Sequence, residues 1–133
     1  MSFKFGSRSE SKLKDVHPDL VRVMRRAIRM SPVDFTVIEG IRTLARQRQL
    51  VTAGASKTMN SRHLKASNGY SHAVDIAPYV GGKIRWDWPL YHQIAPVVKE
   101  AARLEKVPIE WGGDWKSFKD GPHWQLPFSK YPK

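Results

Sequence analysis

The chain contains no cysteine, which removes disulfide staples, thiolate metal ligands and a thiol nucleophile together. Any metal held here must be held by imidazole nitrogen or by oxygen. No stretch approaches the ~20 consecutive apolar residues that cross a bilayer, and the opening Met1-Ser2-Phe3-Lys4-Phe5-Gly6 lacks the apolar run of a secretory signal. These absences give the expectation of a product made soluble in the cytoplasm. Acidic residues are scarce, 12 against 23 basic ones, for a formal net charge of +11. Such an imbalance favours polyanions, whether nucleic acid, anionic lipid or a bacterial envelope surface. Yet there is no zinc-finger spacing, no aromatic RNA-binding strand and no helix-turn-helix pattern. Neither repeat nor linker nor low-complexity segment interrupts the 133 residues, so one domain spanning 1–133, monomeric, is expected.

Local patterns supply the elements. His17-Pro18-Asp19 opens a helix to about Met30, with Leu20, Val23, Met24, Ala27 and Ile28 on one face. Arg22, Arg25, Arg26 and Arg29 fall away from that stripe as a solvated basic face. Phe35 to Glu39 reads as a strand, followed by a helix from the N-cap Thr43 to Ala53, stopped by Gly54. Residues 55–72 form a long polar loop, the kind that tends to be functional. Ala73 to Ala77 is a strand, and Tyr79 to Ile84 a hairpin by its Gly81-Gly82 turn. Asp87-Trp88-Pro89 starts a helix to about Glu105 with Leu90, Ile94, Val97, Val98 and Ala101 inward and Pro96 bending it. Ile109 to Trp111 and His123 to Leu126 are short strands. Trp111 and Trp115 are expected to pack, His92 to lie on the surface, and His17 to cap or pack.

Ser61-Arg62-His63, His72-Ala73-Val74-Asp75 and Asp120-Gly121-Pro122-His123 together carry chemistry. Catalytic zinc takes three protein groups and leaves a fourth position for water. His63, Asp75 and His123 can fill the three places. On a strand whose Val74 and Ile76 face the core, Asp75 points the other way, between two small alanines. Pro122 fixes the backbone just ahead of His123, leaving Asp120 free as general base. Glu110 and Asp114 are the other carboxylates near this loop. His72 competes with His63 for the first ligand place. Strand parity sets His72 opposite to Asp75, which favours His63 and leaves His72 a structural or substrate-facing role.

These motifs resemble a known family, the zinc peptidases that include VanY-type D-alanyl-D-alanine carboxypeptidases and phage L-alanyl-D-glutamate endopeptidases. The resemblance runs in order from Ser7 to Leu126. It takes in Val16-His17-Pro18, Phe35 to Arg42, Gln47, Gly54, Ser61-Arg62-His63, Ala73-Val74-Asp75, Glu110 to Trp115 and Asp120-x-Pro-His123-Trp124-Gln125. It implies zinc on His63, Asp75 and His123, catalysis by Asp120, and Arg42 near the substrate or the oxyanion. The segment Lys65 to Ser71 departs from the compact family spacing by holding a five-residue insertion. The implied fold is α+β, a small antiparallel sheet with helices on one side and the zinc cleft on the other, like the D-Ala-D-Ala peptidase and Hedgehog type. The implied substrate is peptidoglycan, cleaved at L-alanyl-D-glutamate by an endolysin that a holin releases, with the anionic envelope as a further partner. Three alternatives stay open: a D-alanyl-D-alanine carboxypeptidase, a basic nucleic-acid-binding protein, and a metal-binding scaffold without catalysis.

Overall fold

A computed structural model describes residues 2–56 and 58–133. Met1 of the N-terminal segment and Lys57 of the 55–72 loop lie outside the described residues. The elements in chain order are α1 (Ser7–Leu13), α2 (Pro18–Met30), β1 (Phe35–Glu39), α3 (Leu44–Thr52), β2 (Ala73–Val80), β3 (Lys83–Ile84), α4 (Trp88–Glu105), β4 (Glu110–Trp111) and β5 (His123–Gln125).

The apolar spacing of α2 does what its period demands. Leu20, Val23, Met24, Ala27 and Ile28 are all buried, and each large one removed from water contributes roughly 1.5–3 kcal/mol. The helix starts where it does because Pro18 needs no N–H partner in the first turn, while His17 Nδ1 accepts from the Asp19 amide at 3.0 Å. In α4 the inward set differs from expectation. Tyr91, Ile94, Ala95, Val98, Ala101 and Ala102 are buried, whereas Leu90 and Val97 lie at the margin. Pro96 does not end the helix. The sequence pattern did not reveal α1, whose single buried apolar residue, Leu13, leaves no periodic stripe. By contrast α3 is held by polar bonds. Its buried residue is Gln47, which donates to Ser56 Oγ at 2.9 Å and to the Thr58 carbonyl.

The sheet is antiparallel in the order β1-β2-β5-β4, with β3 hairpinned onto β2. Gly81 and Gly82 both take positive φ, 62° and 78°, as a two-residue hairpin requires. Side chains on one face of the sheet, including Val74, Ile76, Trp111 and Trp124, join α2 and α4 in the core. The opposite face carries Asp75. This is the α+β arrangement expected, with its helices behind the sheet.

One irregularity shapes the front. Val37 pairs with Ile76, but Glu39 pairs with Asp75, so Ile38 is an extra residue in β1. Unbroken alternation would turn Glu39 toward the core with Phe35 and Val37. The bulge turns it to the face of Asp75 instead.

Candidate metal centre

Asp75 stands at the middle of the sheet, across from His123 on β5 and from Glu39 on β1. Cross-strand partners share a face, so the register brings Asp75 and His123 together although 48 residues separate them. His63 arrives from the loop and is fixed three ways. Its amide donates to Ser61 Oγ at 3.1 Å, its carbonyl accepts from the Arg42 amide at 2.8 Å, and its Nδ1 bonds the Gly40 carbonyl at 2.8 Å. One ligand atom from each of His63, Asp75 and His123 lies within 4.8 Å of the others.

The donor chemistry shows that this trio fits a cation. A carbonyl oxygen can only accept, so His63 Nδ1 carries a proton, and in the neutral ring Nε2 presents a lone pair 3.1 Å from Asp75 Oδ1. On the other side, the Gln125 amide donates to Glu110 Oε1 at 3.0 Å, which turns its oxygen toward His123. His123 Nε2 donates to that oxygen at 2.8 Å, which in the neutral ring leaves Nδ1 as a lone pair 3.2 Å from the same Asp75 oxygen. Two lone pairs and a carboxylate repel unless positive charge sits among them. Outer hydrogen bonds of this kind are how metal-binding imidazoles are oriented.

The same demand for positive charge shows in the electrostatics, where protons on the imidazoles can meet it in place of a cation. Burial alone would raise the Asp75 pKa, yet the flanking His63 and His123 hold it well below the usual carboxylate range. Burial opposes a charge on His123, but Asp75 lifts its pKa above the ordinary imidazole value. Asp120 is raised by burial first and by Asp75 next, with His123, His63 and Arg42 pulling it partly back. A carboxyl raised above its usual range is a better base than an ordinary one. Asp120 is placed by its backbone, whose amide donates to the Gly112 carbonyl at 3.0 Å and whose carbonyl accepts from His123 at 3.3 Å.

Of the other sequence candidates, Arg42 is gripped. Its Nε and Nη2 donate to both Glu39 oxygens at 2.7 Å, and Nη1 donates to Gln47 Oε1 at 2.7 Å. Its charge nevertheless reaches Asp75 and Asp120. His72 is set apart from the trio, with Nε2 bonded to Asn68 and its ring against His17 and Tyr131. Burial, then the charges of Arg62 and His17, push its pKa down to about 4. Glu110 is spent on Gln125, and Asp114 pairs with Lys99 at 2.8 Å on the surface. Trp111 is core as expected, while Trp115 is half-buried with its ring 5.2 Å from that of His123. The outer roles of Gly40, Gln125 and Glu110 escaped the sequence reading. Strand alternation of His123 and Gln125 was the one available signal.

A mixed sheet-and-helix domain whose front face gathers two imidazoles and a carboxylate, with a further carboxyl beside them, has the makings of a metal-dependent hydrolase. The chain belongs to the phage L-alanyl-D-glutamate peptidase family, whose model matches residues 1–125. It is 38% identical over 121 residues to the L-alanyl-D-glutamate peptidase of Escherichia phage T5, covering 90% of this chain and 87% of that protein. The crystal structure of the Serratia marcescens L-Ala D-Glu endopeptidase ChiX superposes with a TM-score of 0.89 at 50% identity, covering 99% of this chain and 96% of that one. An L-alanyl-D-glutamate peptidase of Listeria phage A118 is 34% identical over 99 residues, 74% of this chain but 32% of that protein.

Proposed function

We propose that residues 1–133 act as one zinc-dependent peptidase that hydrolyses the L-alanyl-D-glutamate bond of peptidoglycan stem peptides. The observation that carries this is the convergence of the His63 Nε2 and His123 Nδ1 lone pairs on Asp75, with Asp120 beside them. The family and its relatives supply the bond. His63, Asp75 and His123 would hold the ion, and zinc bound there supplies Lewis acidity, polarising a carbonyl and lowering the pKa of water.

Asp120 does the proton work. It takes a proton from the water whose oxygen attacks the scissile carbonyl carbon, and passes it to the leaving nitrogen as the C–N bond breaks. Arg42, held by Glu39 and Gln47, adds fixed positive charge where negative charge develops. The test is digestion of purified muropeptides with products identified by mass. Release of L-alanine-ended and D-glutamate-started fragments supports the reading, and release of terminal D-alanine would assign a carboxypeptidase instead.

Attachment to an anionic envelope belongs to the same reading, but on a different surface from the ion-paired arginines of α2, Arg22, Arg25 and Arg26. Arg22 pairs with Asp19 and Glu105, Arg25 with Glu10, and Arg26 with Glu105. Lys12, Lys14 and Arg46, which line a groove beside Glu39 and Gly40, enter no ion pair among the described residues.

A further inference from the structure

Tyr91 carries a hydroxyl that the fold does not use. The residue is 4% exposed, and its oxygen is buried with no hydrogen-bond partner among the described residues. Buried polar groups are nearly always paired, and one left alone costs stability, so its retention asks for a reason. Its surroundings supply one. The ring lies beneath Gly121, where an added Cβ would stand 3.2 Å from Tyr91 Cγ and Cδ2. Trp111 Nε1 holds the Gly121 carbonyl at 2.8 Å from beside it. The turn that presents both Asp120 and His123 therefore rests on Tyr91 and Trp111. Burial, then the charges of Asp120 and Asp75, make the phenol a weaker acid than usual, so the hydroxyl lies within the field of both carboxylates.

We propose that Tyr91 is a positioning residue, whose buried hydroxyl closes onto the Asp120 carboxylate when substrate enters and holds it aimed at the scissile bond. A hydroxyl rotor in a negative field turns its hydrogen toward the carboxylates. Catalytic hydrogen bonds are often long before substrate arrives and tighten in the complex. The inference rests on the reading of Asp120 as the base. It also explains why a phenol, rather than a phenyl ring, fills an otherwise apolar position of α4.

Tyr91→Phe keeps the ring under Gly121 and removes only the oxygen, so it tests the idea without emptying the core. The expected result is a thermal midpoint equal to or above wild type, unchanged metal content, an unchanged KM, and a kcat about tenfold to a hundredfold lower. In the double variant with Asp120→Asn, the tyrosine change should cost nothing further, since it acts through the missing carboxylate. A wild-type kcat in Tyr91→Phe would overturn the proposal. So would a lowered thermal midpoint, which would reveal a structural bond, or full additivity in the double variant. If wild type itself leaves L-alanyl-D-glutamate intact, the functional reading fails. The thermal comparison then still decides whether the hydroxyl was held at a cost to the fold.

Discussion

Among single residues, neighbouring side chains should differ in what their removal costs. His63→Ala, Asp75→Ala and His123→Ala should each lose both metal and turnover, while His72→Ala should keep its metal, read by elemental analysis after desalting. A metal-replete His63→Ala with a metal-free His72→Ala would exchange the two histidines. Asp120→Asn removes the proton acceptor without changing shape, so turnover should fall about a hundredfold or more with metal retained, the scale of a general base. Gln125→Leu breaks the bond that orients the His123 ring and fixes its proton on Nε2 in the neutral form, and metal affinity should drop about tenfold or more in competition with a chromogenic chelator.

At the scale of elements, the sheet register is what turns scattered letters into a site, and part of it could be read beforehand. Alternation about Val74 and Ile76 put Asp75 on the front, and the Pro before His123 announced a fixed turn. The bulge at Ile38 could not be read, because it depends on which residue of β1 finds Asp75 across the sheet. The same holds for α1, too short for periodicity, and for the inward face of α4, where Tyr91 displaced Leu90 because the Gly121 turn packs on it. Gly112 offers an element-level test. A Cβ there would come within 2.4 Å of the Asp120 carbonyl and 3.1 Å of His123 Cβ, so Gly112→Ala should lower turnover and thermal midpoint together. Unchanged values would mean the 120–123 turn is looser than its packing implies.

At the scale of the whole molecule, pH and salt act on different parts. His72 is buried neutral, with a folded pKa of about 4 against the ordinary 6.5. Between those values the unfolded chain binds the extra proton, so stability is complete above about pH 6.5 and falls on acidification toward 4. The slope is at most about 1.4 kcal/mol per pH unit. Urea midpoints of wild type and His72→Gln across that window should diverge in slope, and parallel curves would contradict the burial argument. Raised salt should weaken lysis of whole cells more than cleavage of a small soluble muropeptide, because exposed charges act over about 10 Å at 0.1 M salt. Neutralising Lys12, Lys14 and Arg46 should imitate that effect better than neutralising the already paired Arg22, Arg25 and Arg26. Equal salt dependence on both substrates would remove the net charge from the account.

Zinc dependence and bond specificity are read together in a muropeptide digest followed by mass spectrometry, run on chelator-treated protein before and after zinc is restored. No cleavage is expected after chelation, and cleavage at L-alanyl-D-glutamate alone once about one zinc per chain is returned. Cleavage at that bond by the fully chelated protein, or zinc-restored cleavage at a different bond, would contradict it.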